Sequence, residues 1–280
     1  MVDRLERYLV LCSLILTGCS VDSESHKSSE SATRSGPDPV MLGELTERIE
    51  SENFVFHYQP GDTVWVERQE AFHRWAVEYL DISIPEKIAY YKFRFSDMET
   101  AVGAGASGVG YPRDFAIATI YPWHAHETMH VYTYELCGHT TIRLFDEGMA
   151  IAHDVDPLEN DWTAKWRVWP GQGDYVYSDK VREHRAARRL HPVTEIIVSR
   201  SFEEARARER GTVNNRVLYD QAGTFVSYLI DAYGIDKMKQ AICSVTHSAS
   251  RETILTRFEE VFGVSVLQAE QSWLERLDAR

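Results

Sequence analysis

The side chains best suited to do chemistry lie close together in the segment His126-Glu127-Thr128-Met129-His130. Side chains four residues apart on a helix lie about 5–6 Å from each other on one face, so the two imidazoles can share one tetrahedral zinc ion. Glu127 lies about 100° further round the helix, where its carboxylate can take a proton from the attacking water. The spacing therefore predicts that His126 and His130 bind Zn²⁺ and that Glu127 is the general base.

A catalytic zinc ion needs a third protein ligand and one open position for water. Glu147 follows seventeen residues after the second histidine and can supply that ligand, although Asp146 beside it carries the same chemistry. Two further histidines, His124 and His139, flank the metal segment, and we expect them to support the site or to lie on the surface. His153 lies too far round a helix from Glu147 to join it.

Three motifs together resemble the gluzincin metallopeptidases, in particular the bacterial peptidase MA-like families. They are the HExxH pattern, the E-G-x-A segment that begins at Glu147, and the stretch 219–230, which reads YDQAGTFVSYLI. The resemblance extends over most of the chain, from residue 51 to residue 273. It implies that Glu147 rather than Asp146 completes the zinc site.

The same resemblance implies a catalytic role for Tyr219. This residue matches the position at which related aminopeptidases place a tyrosine that hydrogen-bonds the developing oxyanion. A structural role is the alternative, because a tyrosine in a core packs its ring and satisfies its hydroxyl. No segment similar to the G-x-M-E-N motif of aminopeptidases is present in the sequence, which favours an endopeptidase.

An α+β fold is expected from the hydrophobic patterns. Strands are predicted over residues 54–58, 87–95 and 115–121. Helices are predicted over 63–80, 219–233, 250–262 and 266–277, in addition to the two that carry the metal ligands. The resemblance implies a gluzincin-like catalytic domain in which a mixed N-terminal part contains the zinc helix and a mainly helical part follows.

The N-terminus resembles that of an exported lipoprotein. Tyr8 to Thr17 is a largely apolar stretch, long enough for the core of a signal peptide and too short to span a bilayer as a helix. It ends in Leu16-Thr17-Gly18-Cys19, which resembles the bacterial lipobox, where cleavage before the cysteine leaves a thiol that receives lipid. The predicted organisation is a signal peptide at 1–18, a lipidated Cys19 opening a flexible tether at 19–42, and a metallopeptidase domain at 43–280.

This organisation predicts a compartment. Ser20 after the cysteine is similar to enterobacterial sorting signals, so we expect a protein anchored in the bacterial outer membrane and facing the periplasm. Cys137 and Cys243 are then the cysteines left in the domain. In an oxidising periplasm they form a disulfide or remain two separate buried thiols, since sequence separation does not show whether they meet.

Composition and local context argue against three other classes of partner. The formal net charge of −13 at pH 7 argues against nucleic acid and against anionic lipid headgroups. Gly103 to Gly108 matches the G-x-G-x-x-G of dinucleotide-binding folds, but Tyr111-Pro112 and another predicted strand follow where that fold requires a helix. We therefore expect a glycine loop near the active site.

The sequence thus predicts a lipid-anchored zinc metallopeptidase of the cell envelope that hydrolyses peptide bonds in protein or peptide substrates. The alternative is a non-catalytic envelope lipoprotein that uses the zinc-binding domain as a binding or assembly scaffold. The presence of Glu127 together with all three ligand residues favours the enzyme, because a scaffold has no need of a general base.

Overall fold

A computed structural model describes residues 36–102, 106–154, 177–212, 214 and 216–279 of the chain. Within these residues the fold is α+β, as predicted. The signal peptide, Cys19 and most of the predicted tether lie outside the described residues. The chain divides into two compact units, the described parts of Met1–Ala76 with Ser83–Val131, and of Val77–Ile82 with Tyr132–Arg280.

The first unit is built on a five-stranded mixed sheet. Its strands are β1 (Glu47–Glu50), β2 (Phe54–Tyr58), β3 (Ile88–Lys92), β4 (Gly108–Tyr111) and β5 (Ala116–Thr119). Its helices are α1 (Pro39–Leu42), α2 (Val66–Leu80), α3 (Phe95–Val102) and α4 (Ala125–Cys137), of which α2 and α4 continue into residues of the second unit.

The strands follow the order β1-β2-β3-β5-β4 across the sheet. β2, β3 and β5 run parallel, and a parallel pair needs a crossover connection, which helix α2 provides between β2 and β3. The two edge strands, β1 and β4, are antiparallel to their neighbours. Alternate residues of β2 and β3, among them Phe54, Phe56 and Tyr90, are fully buried and form part of the core.

The strand predicted at 54–58 is confirmed, and the one predicted at 87–95 is too long. β3 ends at Lys92, and Phe95 begins helix α3 with its side chain exposed. The aromatic alternation runs on past the true end of the strand, whereas Ser96 and Asp97 are residue types that favour the start of a helix.

Helix α1 falls at the end of the segment predicted as a tether. Met41 and Leu42 pack against a buried apolar cluster that includes Phe93 and Met98, and the amide of Asp38 donates to the carbonyl of Ala101 at 2.8 Å. Packed structure therefore begins a few residues before position 43.

The second unit is mainly helical, in agreement with the helices predicted over 219–233, 250–262 and 266–277. Its further helices are α5 (Arg143–Ala152), α6 (Ser178–Ala186), α7 (Val193–Ile196), α8 (Ser199–Glu209), α9 (Val217–Tyr233), α10 (Ile235–Ser244), α11 (Arg251–Phe262) and α12 (Val266–Asp278). Helices α11 and α12 begin after Ser250 and Ser265, whose hydroxyls accept hydrogen bonds from amides in the first turn. Gly234 and Gly263 follow the ends of α9 and α11.

Helices α5 and α9 approach each other closely because each has a glycine at the contact. A Cβ atom added to Gly148 would lie 2.3 Å from Cγ2 of Val226, and one added to Gly223 would lie 2.1 Å from Cγ2 of Ile151. Neither position has room for a side chain. The glycine of the E-G-x-A segment thus brings the helix of Glu147 against the helix of Tyr219.

A disulfide joins Cys137 at the end of α4 to Cys243 in α10, with 4.9 Å between the Cα atoms. The sequence left this pairing open. In the chain-entropy description, a crosslink that closes a loop of this length stabilises the fold by about 4–5 kcal/mol. The bond thereby restrains the C-terminal end of the helix that carries the HExxH pattern.

Within the residues that the structure describes, no helix combines the length and the apolar character needed to cross a membrane.

Candidate metal centre

His126, His130 and Glu147 form a buried group whose ligand atoms all lie within 4.8 Å of one another. Among the described residues, no other group of three or more histidine, cysteine or acidic side chains has its ligand atoms close enough together to share a metal ion. The imidazole rings of His126 and His130 are nearly perpendicular, with 5.0 Å between their centroids. The structure therefore brings together the three predicted ligands.

The donor set fits a metal ion. Two imidazole nitrogens and one carboxylate are the protein ligands of several catalytic zinc sites, which keep a further position open. Donor atoms about 2.1 Å from a tetrahedral ion are about 3.4 Å from each other. The ligand atoms of His126, His130 and Glu147 lie no more than 4.8 Å apart, which is close to that spacing. The group could thus bind a metal ion with small adjustments of the side chains.

The N-terminal end of α4 is tied to α2 by the buried side chain of Gln69. The Gln69 carbonyl accepts from the amide of His124 at 2.9 Å, and its NH₂ group donates to the Thr128 hydroxyl at 2.8 Å. That hydroxyl donates in turn to the carbonyl of His124. Because the first amides of a helix have no partner within the helix, this bonding secures the turn that carries Glu127.

Glu127 is buried against strand β4. A Cβ atom added to Gly108 would lie 2.7 Å from both Cγ and Oε1 of Glu127, and 2.5 Å from Cε1 of His124. Burial raises the pKa of Tyr90 well above the ordinary value, and the negative charge of the Glu127 carboxylate raises it further. Gly108 belongs to an edge strand rather than to the loop predicted there, and residues 103–105 of that loop lie outside the described part.

His124 is buried and uncharged. Its Nδ1 lies 3.0 Å from the hydroxyl of Thr119, which donates its own hydrogen to the carbonyl of Ser107 at 3.1 Å. The imidazole must then be the donor to Thr119, which leaves Nε2 as an acceptor. Burial lowers its pKa well below the ordinary value, and the charges that His126 and His130 can carry lower it further.

Glu147 lies on α5 one turn after Arg143, whose guanidinium is buried. Nη1 of Arg143 is 3.5 Å from Oε1 of Glu147 and 3.3 Å from Oδ2 of Asp146. Asp146 also accepts from the Thr133 hydroxyl at 3.5 Å and does not belong to the metal group. Burial would lower the pKa of Arg143, but the neighbouring carboxylates, Glu147 first, raise it, so the guanidinium stays charged.

Tyr219 lies in the first turn of α9 and is nearly fully buried. Its hydroxyl oxygen accepts a hydrogen bond from Nη1 of Arg206 at 3.1 Å, and its ring packs edge-on against Phe202. The pKa of Arg206 is raised: burial opposes this, but Tyr219, Glu203 and then Glu147 increase it. Arg206 therefore interacts electrostatically with both Tyr219 and Glu147.

The two remaining histidines near the motif do not join the metal group. His139 contacts the carbonyls of Thr140 and Cys243, each at 3.3 Å. His153 is buried at the end of α5, where its Nδ1 lies 2.8 Å from the carbonyl of Met149.

Comparison of the chain with protein-family models, curated proteins and solved structures found no significant match. A proposal of function must therefore rest on the chemistry of the side chains.

Sequence reasoning assigned no role to four residues around the site, Gln69, Gly108, Arg143 and Arg206, although it expected the glycine loop that ends at Gly108 to lie near the active site. The position of Arg143, four residues before Glu147, places it on the same helix face and was the one signal available from the sequence. The other three are brought to the site by packing between elements.

Proposed function

We propose that this protein is a zinc-dependent metallopeptidase with a gluzincin-like catalytic domain. The observation that carries the proposal is the buried His126, His130 and Glu147 group together with Glu127, which lies on the same helix as the two histidines. A purely structural metal site needs ligands, but it has no use for a buried carboxylate next to them.

A zinc ion held by the three ligands would supply Lewis-acid polarisation of the scissile carbonyl and of water. Glu127 accepts the proton of the attacking water and delivers it to the leaving amine. Tyr219 donates a hydrogen bond to the carbonyl oxygen as negative charge develops there. The net reaction is hydrolysis of a peptide bond.

Strand β4 supports a peptide as the substrate. Among the described residues it is the last strand of the sheet, paired with β5 along one edge, and Gly108 and Gly110 lie directly against the helix of Glu127. An extended peptide binds at the edge of a sheet by adding a strand, which aligns its carbonyls with the sheet backbone. Binding of this kind brings a peptide bond of the substrate close to the general base.

The proposal includes a lipid anchor in the bacterial cell envelope, through Cys19. The disulfide between Cys137 and Cys243 favours this location, because disulfides persist in oxidising compartments such as the periplasm. The anchor and the signal peptide otherwise rest on the sequence pattern at residues 8–19.

The decisive experiment compares Glu127→Gln with Glu135→Gln, the same change on the same helix. Glutamine keeps the shape of the side chain but accepts no proton, so Glu127→Gln should retain zinc while turnover falls on the order of 10²–10⁴-fold. Glu135→Gln should retain both. The measurements are zinc stoichiometry by elemental analysis and cleavage of a quenched-fluorescence peptide library, with and without a chelator.

His126→Ala provides the complementary case, because it should lose zinc and activity together. If Glu127→Gln binds zinc and cleaves peptides as fast as the wild type, the peptidase proposal is wrong. Zinc binding without cleavage by the wild type would instead support the scaffold.

A further inference from the structure

Glu203 on α8 holds one arginine on each of its carboxylate oxygens. Nε of Arg143 lies 2.7 Å from Oε1, and Nε of Arg206 lies 2.9 Å from Oε2. The side chain of Arg143 is buried, and those of Arg206 and Glu203 are about one fifth and one quarter exposed, at 22% and 24%. Glu203 therefore forms an ion pair with both guanidiniums.

The opposite ends of the two guanidiniums reach residues with proposed roles. Nη1 of Arg143 lies 3.5 Å from the ligand Glu147, and Nη1 of Arg206 donates to the hydroxyl oxygen of Tyr219 at 3.1 Å. Each arginine therefore connects Glu203 to one of these two residues. The planar fork of arginine makes this possible, since its nitrogens donate in fixed directions.

The bond between Arg206 and Tyr219 determines what the phenol can do. A guanidinium has no acceptor atom, so the hydrogen of the Tyr219 hydroxyl must point away from Arg206. A hydroxyl oxygen that accepts a charged hydrogen bond is polarised and becomes a stronger donor through its own hydrogen. Arg206 thus both directs the phenol hydrogen and strengthens the bond that the phenol can donate.

We propose that Arg206 is a positioning residue that aims and polarises the Tyr219 hydroxyl for the developing oxyanion. This inference rests on the proposed function and adds a residue to it. Arg206 acts through Tyr219, so its contribution to turnover must disappear when the phenol hydroxyl is absent. An ion pair that merely stabilises α8 would contribute equally with and without that hydroxyl.

A double-mutant cycle tests this dependence. The full-length protein is compared with Arg206→Met, Tyr219→Phe and the double variant, using the fastest-cleaved peptide of a quenched-fluorescence library. Tyr219→Phe should lower kcat on the order of 10²–10³-fold, and Arg206→Met alone on the order of 10-fold, with KM and zinc stoichiometry unchanged. The double variant should match Tyr219→Phe within about twofold.

Arg200→Met is the matched control. Arg200 lies on the same helix, is exposed, and pairs with Glu204 at 2.9 Å, so its loss should leave kcat unchanged. If Arg206→Met fails to fold, the cycle is run with Arg206→Lys. Lysine can keep the ion pair with Glu203 but lacks the fork that also reaches Tyr219, so the same coupling is expected.

The inference is overturned if the arginine variant lowers kcat by the same factor in the wild-type background and in the Tyr219→Phe background. It is also overturned if Arg206→Met turns over at the wild-type rate. A wild-type protein that binds zinc but cleaves no peptide refutes the proposed function itself, and the role of Arg206 with it.

Discussion

Gly108 is the residue at which the sheet comes closest to the proposed general base. Its Cα carries no side chain, and the space that a Cβ would need is filled by Glu127 and His124. The Glu127 atoms at this contact include Cγ, which cannot swing away as a flexible chain end can. Gly108 is therefore part of what determines the orientation of the carboxylate.

Gly108→Ala should lower turnover while zinc is retained. The new methyl group displaces Glu127, and a shift of about 1 Å in a catalytic group can cost on the order of 10²-fold in rate. The three atoms nearest to the new methyl group belong to Glu127 and His124, and none belongs to His126 or His130. The measurements are kcat on one library peptide and zinc stoichiometry.

Gly110→Ala is the control for this change, two residues along the same strand. There the nearest atoms are the carbonyl oxygen of Glu127 and Cβ of His130, both at 3.3 Å, which a few tenths of an ångström of movement relieves. We expect a change in kcat of less than about threefold. Equal losses in the two variants would contradict a specific effect on the Glu127 carboxylate.

At the scale of elements, helix α5 carries Glu147 near its middle and is ended by a buried histidine. Nδ1 of His153 lies 2.8 Å from the carbonyl of Met149 in the last turn, and its ring packs on Tyr79 with 5.3 Å between centroids. Burial lowers the pKa of His153 to about 4, although the bond to Met149 opposes the shift. The fold therefore requires this imidazole to be neutral.

This requirement predicts that the stability of the fold depends on pH. Well above pH 6.5 the imidazole is neutral in both states and contributes nothing to the pH dependence. Between pH 6.5 and about 4 the unfolded chain binds a proton that the folded chain does not, so stability falls as the pH falls. Over this range the loss from His153 is about 3 kcal/mol.

Urea unfolding at several pH values, for the wild type and for His153→Asn, measures this contribution. Asparagine can keep a donor towards Met149 but does not titrate, so the variant should lose less stability on acidification. Metal loss at low pH affects both proteins alike. The difference between their slopes of unfolding free energy against pH therefore measures the contribution of His153. Parallel curves would show that the imidazole titrates normally in the folded state.

At the scale of the whole molecule, the proposed lipid anchor sets the location of the proposed peptidase. Cys19→Ser should prevent lipid attachment, because a hydroxyl cannot replace the thiol that receives the lipid at the lipobox. Since stable anchoring needs more than one acyl chain, the wild type should partition into detergent and the variant into the aqueous phase. The measurement is phase partitioning of the full-length proteins expressed in bacteria.

Cys12→Ser is the matched control, because Cys12 lies within the predicted signal peptide and should be removed with it. It should partition like the wild type. Partitioning of the wild type and Cys19→Ser into the same phase would refute lipidation at Cys19.

The sequence by itself was sufficient for features that depend on neighbouring residues. The spacing of His126 and His130 places both imidazoles on one helix face, and serine before a helix predicts its first turn, as at Ser250 and Ser265. The alternation at 54–58 likewise predicts β2 correctly. These features depend on backbone geometry over a few residues, which is the same in any fold.

Only the tertiary structure decided which distant residues meet. It pairs Cys137 with Cys243, places Gly108 against Glu127, and sets Arg206 on the hydroxyl of Tyr219. Such contacts depend on how helices and strands pack and on the direction in which each side chain leaves its element. Local spacing carries no information about either, so the ligand pair on α4 was predictable and the residues that orient the site were not.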